Sequence, residues 1–138
     1  MKHYQIKKIQ IENYTLGASF CRDQYEKGGV AIYIRKNLQC SNIDVSEYSK
    51  DKDIEICALK ALYCNLKICI ISIYRSPNGN FVFLKNLDSI LQILYNCLQN
   101  IIICGDININ YLDNLLLSYN LTSIITFQRD YKTHQQQQ

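Results

Sequence analysis

An α/β fold, a mixed and largely antiparallel sheet with flanking helices, is what this sequence predicts, on three observations. Short β-branched runs recur between turn signals along most of the chain. One segment then changes period and carries leucines at 84, 87, 91, 94 and 98, the 3-4-3-4 spacing of an amphipathic helix. Directly after it, Ile101-Ile102-Ile103-Cys104 is too short for a helix and is closed by Gly105, as a buried strand would be. The chain has 138 residues, 48 % hydrophobic and 20 % charged. Such a chain suits one domain with a core, and disorder is excluded for its bulk.

Taken in order, Val30-Ala31-Ile32-Tyr33-Ile34 follows Gly28-Gly29 and precedes Arg35-Lys36-Asn37, as a strand leaving a tight turn. Asp44 to Asp53, with Ser46, Ser49 and Lys50, is polar and reads as a surface loop. Ile54 to Tyr63 and Lys67 to Tyr74 flank Cys64-Asn65-Leu66 as an antiparallel hairpin. Its second strand is apolar on both faces and is therefore placed centrally. The helix is expected from about Phe81 to about Cys97, with Asn80 as its cap. Tyr111 to Tyr119 reads as a short helix and Leu121 to Thr126 as a further strand. Residues 1–128 form the expected domain, and 129–138, ending in Gln135 to Gln138, a disordered polar tail. Helices on one face leave the other in need of cover, and this chain is expected to supply little of it.

No apolar run approaches the roughly 20 residues of a membrane span, and Met1 to Lys8 lacks the apolar core of a secretory signal. A soluble, intracellular product without a membrane partner is expected. A net charge of +3 permits a polyanionic partner without pointing to one. The seven cysteines contain no Cys-x-x-Cys pair and sit mostly inside apolar runs. They read as small hydrophobes rather than a zinc site.

Two strand ends carry the residues suited to chemistry. In Cys104-Gly105-Asp106-Ile107-Asn108 the glycine lets the backbone turn, and Asp106 and Asn108, two apart, face the same way when extended. A carboxylate and a neutral amide are thereby offered to one small group. At the end of the neighbouring strand, Tyr74-Arg75-Ser76-Pro77-Asn78-Gly79 supplies donors for phosphate oxygens. Taken singly, each string is also a common turn.

In sequence order, a hydrophobic strand, Tyr-x-x-Pro-Asn, an amphipathic helix, a second hydrophobic strand and Gly-Asp-x-Asn resemble the endonuclease/exonuclease/phosphatase superfamily. The detail is most similar to the endonuclease domain of non-LTR retrotransposons. Asn13 to Leu16, Phe20-Cys21-Arg22, Gly28 to Ile34, Tyr74 to Pro77 and Gly105 to Asn110 carry the likeness, which spans about Ile9 to about Thr126. What the resemblance implies is part of a four-layered, deoxyribonuclease I-like α/β sandwich, with a second sheet lying partly outside this chain. It further implies Mg²⁺-assisted hydrolysis of DNA phosphodiesters, and a nuclear location if the chain is part of a retrotransposon protein. By matching position, Asp106 orients or activates the water, Asn108 holds the phosphate, and Tyr74 and Asn78 contact phosphate. No metal ligand is carried over.

Two departures shape the expectation of activity. The family's metal-binding Glu block lies upstream of the Asn-Tyr-Thr-Leu region, and Glu12 stands in the wrong context to replace it. The family's Asp-His block has no counterpart after Thr126, where the chain runs Phe127-Gln128-Arg129-Asp130, and His134 lacks the Asp. A fragment cut at both ends, with little activity of its own, is expected. The alternatives are a non-catalytic remnant, with Lys2, Lys7, Lys8, Arg22, Lys27, Arg35 and Lys36 as a weak nucleic-acid-binding face, and an unstable fragment with no activity. Ile70, Ile73, Ile102 and Cys104 are expected in the core, Tyr74 and Asp106 in one cleft. Association with the missing remainder of the domain, or with further copies, should cover the apolar surface left over.

Overall fold

In the computed structural model of the chain, the residues described are 6, 8–22, 28–50, 53–76, 82–97, 100–107 and 119. They form two sheets and one long helix. Strands β1 (Tyr14–Phe20) and β2 (Val30–Arg35) pair antiparallel as a two-stranded sheet. Strands β3 (Gln39–Ile43), β4 (Ile54–Tyr63), β5 (Leu66–Arg75) and β6 (Asn100–Asp106) form a four-stranded sheet in chain order. Its first three strands are antiparallel, whereas β6 runs parallel to β5 after a crossover through helix α1 (Val82–Cys97). The sheet is mixed and mostly antiparallel, as the residue pattern predicts.

The β4–β5 hairpin closes tightly. Cys64 and Asn65 both take positive φ, 48° and 62°, which is what a two-residue type I′ connection demands. Leu66 is therefore already paired, with Tyr63, rather than part of the turn. The register then runs without a break to Ile54 opposite Arg75.

Alternation along β4 explains the layering. Ile54, Ile56 and Ala58 face α1, where they join Cys69, Ile71 and Ile73 of β5 and Phe83, Leu87, Ile90, Leu91 and Leu94 of the helix. The intervening Cys57, Leu59 and Ala61 form a second core with Ala18, Val30, Ile32 and Ile34 of the β1–β2 sheet. The described residues thus stack as helix, four-stranded sheet and two-stranded sheet. The cover for the second face, expected largely from outside, comes in part from this chain's own first two strands.

That cover stops short of β6. Ile73 is buried and Ile70 packs beside the second core, but Ile102 is 51 % exposed and Cys104 is also exposed. Placing those two residues in the core was wrong. Their apolar character matches a central strand, yet the two-stranded sheet lies over β4 and the near side of β5, so β6 keeps one open face.

Two strands, β1 and β3, escape the sequence pattern. β1 contains Gly17 and an irregularity in pairing between Leu16 and Ala18, which breaks its alternation. β3, Gln-Cys-Ser-Asn-Ile, is mostly exposed and polar, an edge composition. The 44–53 loop is tied down more than its polarity suggests. It contains a 3-10 turn at Ser46–Tyr48, buries Val45, and pairs the Ser49 hydroxyl with both the N–H (3.1 Å) and the carbonyl (3.2 Å) of Ile56. The expected cap Asn80, the 121–126 strand, His134 and the 129–138 tail lie outside the described residues, as does all of the 111–119 helix except Tyr119. Among the described residues no helix is long and apolar enough to cross a membrane.

Candidate functional site

Register assembles the site. Glu55 of β4 lies opposite Tyr74 of β5, and Tyr74 lies beside Asp106 of β6. Residues paired across adjacent strands share a face, with backbones about 4.8 Å apart. Glu55, Tyr74 and Asp106 therefore form one row on the face turned toward the β1–β2 sheet. Tyr74 and Asp106 stand side by side, although of the two only Tyr74 lines the cleft at this end. Asn78 and Asn108 lie outside the described residues.

Gly105 makes the approach of β6 to β5 possible at this end. Its φ is +136°, and a Cβ at this position would overlap the Ile73 carbonyl of the adjoining strand. Any larger residue would push the strands apart where Asp106 leaves the sheet.

An open cleft of about 310 Å³ lies at this end of the sheet, lined by Arg22, Gly28, Gly29 and Tyr74. Arg22 follows β1, and Gly28-Gly29 lead into β2. The two-stranded sheet thus supplies one wall and β5 the other. Beneath the cleft, Glu55 is fully buried. Its Oε1 accepts from Arg22 Nε in an ion pair, and its Oε2 accepts from the Gly29 N–H at 2.6 Å. Gly28 and Gly29 have φ of +104° and +105°, and a Cβ on Gly28 would collide with the Arg22 guanidinium. The double glycine is the seat of that arginine.

Motif reading of single strings misses Glu55, and it places Arg22 in one block of the family likeness and on a weak nucleic-acid-binding face, without its carboxylate partner. A signal was present: one acidic residue interrupts the apolar run Ile54-Glu55-Ile56-Cys57. A buried carboxylate demands a partner, and the glycine pair before β2 marks where that partner sits.

The two carboxylates of the row differ in what they can do. Glu55 is committed to Arg22 and Gly29, whereas Asp106 is exposed at the strand end. Among the described residues no three His, Cys, Asp or Glu side chains gather as metal ligands. These residues do not by themselves fit a protein-held Mg²⁺. The cysteines are not part of the site. Burial pushes the Cys57 thiol up to about 12 and that of Cys69 up to about 11, which keeps both as inert thiols at neutral pH.

Compared with protein-family models and with curated proteins, the chain finds no match.

Proposed function

We propose that this chain carries part of a DNA phosphodiester-hydrolysing domain of the retrotransposon endonuclease type, with little activity of its own. The observation that carries the reading is the juxtaposition of Tyr74 and Asp106 on parallel strands, beside a cleft walled by Arg22 and a glycine pair. In-line attack on a phosphodiester needs a positioned water, an acceptor for its proton and donors for the phosphate oxygens. Asp106 supplies the acceptor. Tyr74 supplies a phenolic donor, with Asn78 and Asn108 as phosphate contacts by their place in the motifs.

Little activity is expected because, among the described residues, Asp106 is the one carboxylate of the row exposed to solvent, and Mg²⁺ binds weakly unless several oxygen ligands share the task. Removing one stabilising donor from such a site typically costs about 100- to 1,000-fold. The second reading, a non-catalytic remnant that still holds nucleic acid, draws on that same shortage of carboxylates.

The finer architecture within this proposal is the four-layered sandwich. Its support is the outer face of β1–β2, where Tyr14, Leu16 and Tyr33 join Ile9 and Ile11 along an open groove of about 710 Å³. A further helical layer would cover that apolar surface. DNA as substrate, and the nucleus as its place, belong to the same reading.

A supercoiled-plasmid nicking assay tests it, comparing Mg²⁺ with EDTA. Weak conversion to open circles is expected, abolished by EDTA and by Asp106→Asn. Robust Mg²⁺-dependent nicking lost in Asp106→Asn would keep the site and overturn the low activity. Nicking that persists in Asp106→Asn would remove Asp106 from the chemistry.

A further inference from the structure

The Arg22–Glu55 pair lies outside the roles that the motifs imply, yet its arginine lines the cleft and its carboxylate is buried against that arginine. Burying an ion pair brings little or no net stability compared with apolar residues of similar volume. Here the carboxylate is fully buried and the Arg22 side chain is only 12 % exposed. Glu55 takes the Nε edge of the guanidinium, and its other oxygen takes the Gly29 N–H. A guanidinium carries four further N–H donors on its two Nη atoms, and the Arg22 side chain lines the cleft beside Tyr74. Gly28, lacking a Cβ, leaves the space in which the guanidinium lies. The fork is anchored at its Nε edge by Glu55 and lies in the space beside Gly28.

We infer that Arg22 is an oxyanion-contact residue of this cleft, and that Glu55 is the residue positioning it. Together with the Tyr74 hydroxyl, the Nη donors take the non-bridging oxygens of a phosphate group. The choice of phosphate rests on the phosphodiester reading, whereas the oxyanion site itself does not. Because Glu55 cancels the charge of Arg22, recognition depends on short charge-assisted hydrogen bonds rather than on long-range attraction. A lysine cannot replace this arginine, since one ammonium on a flexible stem cannot hold Glu55 and present a planar fork at once.

The test is a titration of the full chain with inorganic phosphate, without metal, followed by ¹H–¹⁵N NMR. The Arg22 Nε–H and the Gly28 and Gly29 amides report directly on the site. In the wild type all three signals are expected to move together and saturate with one midpoint. Arg22→Lys should raise that midpoint at least about tenfold, the loss of about one charge-assisted contact. Glu55→Gln should collapse the distinct Arg22 Nε–H signal and weaken phosphate binding, a paired change that a purely structural role for Glu55 would not produce. Amide movement with a stationary Arg22 Nε–H, or no saturable response, would overturn the inference on the unaltered protein even if a variant fails to fold. So would an unchanged midpoint in Arg22→Lys. Because nicking is read separately, nicking that persists in Asp106→Asn beside an intact phosphate response would sink the endonuclease reading alone.

Discussion

Strands β4 and β6 carry the same kind of apolar run and meet different fates. In β4 every residue from Ile54 to Leu59 is buried, on both faces. In β6, Ile101 and Ile103 pack against the helix side, while Ile102, Cys104 and Asp106 stand exposed on the other. The cause is position. β4 lies between α1 and the β1–β2 sheet, and among the described strands β6 is the last of its sheet, beyond the reach of the two-stranded one. The same contrast separates the two carboxylates of the row: Glu55 lies under the cover and needs an arginine, whereas Asp106 lies past it and faces solvent.

The largest break in that contrast should come from the carboxylates. Glu55→Ala leaves Arg22 and the Gly29 N–H without their acceptor. Losing one partner of a buried pair costs about 3–5 kcal/mol, whereas Asp106→Ala should change stability by no more than about 0.5 kcal/mol. Urea denaturation of the two variants measures the gap, and equal effects would mean that the Glu55 pair is not closed in solution.

Core truncation sharpens the comparison next. Leu59, fully buried between the two sheets, should cost about 2–5 kcal/mol as Leu59→Ala. Ile102→Ala should cost less than about 1 kcal/mol, since half of that side chain is already in water. The open face of β6 has a further consequence, because exposed apolar surface promotes association with other chains. The wild type is expected to elute as oligomers in size-exclusion chromatography, and Ile102→Lys to shift it toward monomer. A wild-type monomer at high concentration would show that this face is covered.

Thiol labelling gives a smaller but site-resolved reading. Cys57 on β4 and Cys104 on β6 share a face, both opposite Ser72. Burial pushes Cys57 up to about 12, so its labelling should wait on unfolding. Cys104 is also raised by desolvation, opposed by a hydrogen bond with Ser72, but it is exposed and should label well ahead of Cys57. Mass spectrometry of partly labelled protein orders the two.

The smallest expected effect is at the tied-down loop. The Ser46 hydroxyl and N–H both donate to Asp44 Oδ1, at 2.6 and 3.0 Å, and hold its carboxyl below the usual range. A carboxyl lowered in the folded state adds stability above its unfolded titration range and loses it as pH falls through the folded value. The Tm difference between wild type and Asp44→Asn should therefore be present at pH 7 and shrink below about pH 4.

Much of this was legible in the residues because it depends on local rules. Leucine spacing located α1, β-branched runs located β2, β4, β5 and β6, and a doubly apolar strand identified β5 as central. β1 and β3 were not legible, since a glycine with irregular pairing masks one and edge polarity the other. At the site, the strand ends bearing Tyr74 and Asp106 could be found from the chain because each closes an apolar run. Their adjacency had to wait for the parallel register of β5 and β6. The Arg22–Glu55 pair joins residues 33 positions apart, so no local window contains it.

The sequence by itself determined which segments are strands and which is the helix, because hydrophobic period and turn chemistry act within a few residues. Only the tertiary structure decided which apolar faces are covered, and that Arg22 is the cation Glu55 receives. It likewise set Tyr74 and Asp106 side by side at the edge of the cover. Those outcomes depend on where one sheet ends over another, a property of strand order and packing that no single segment contains.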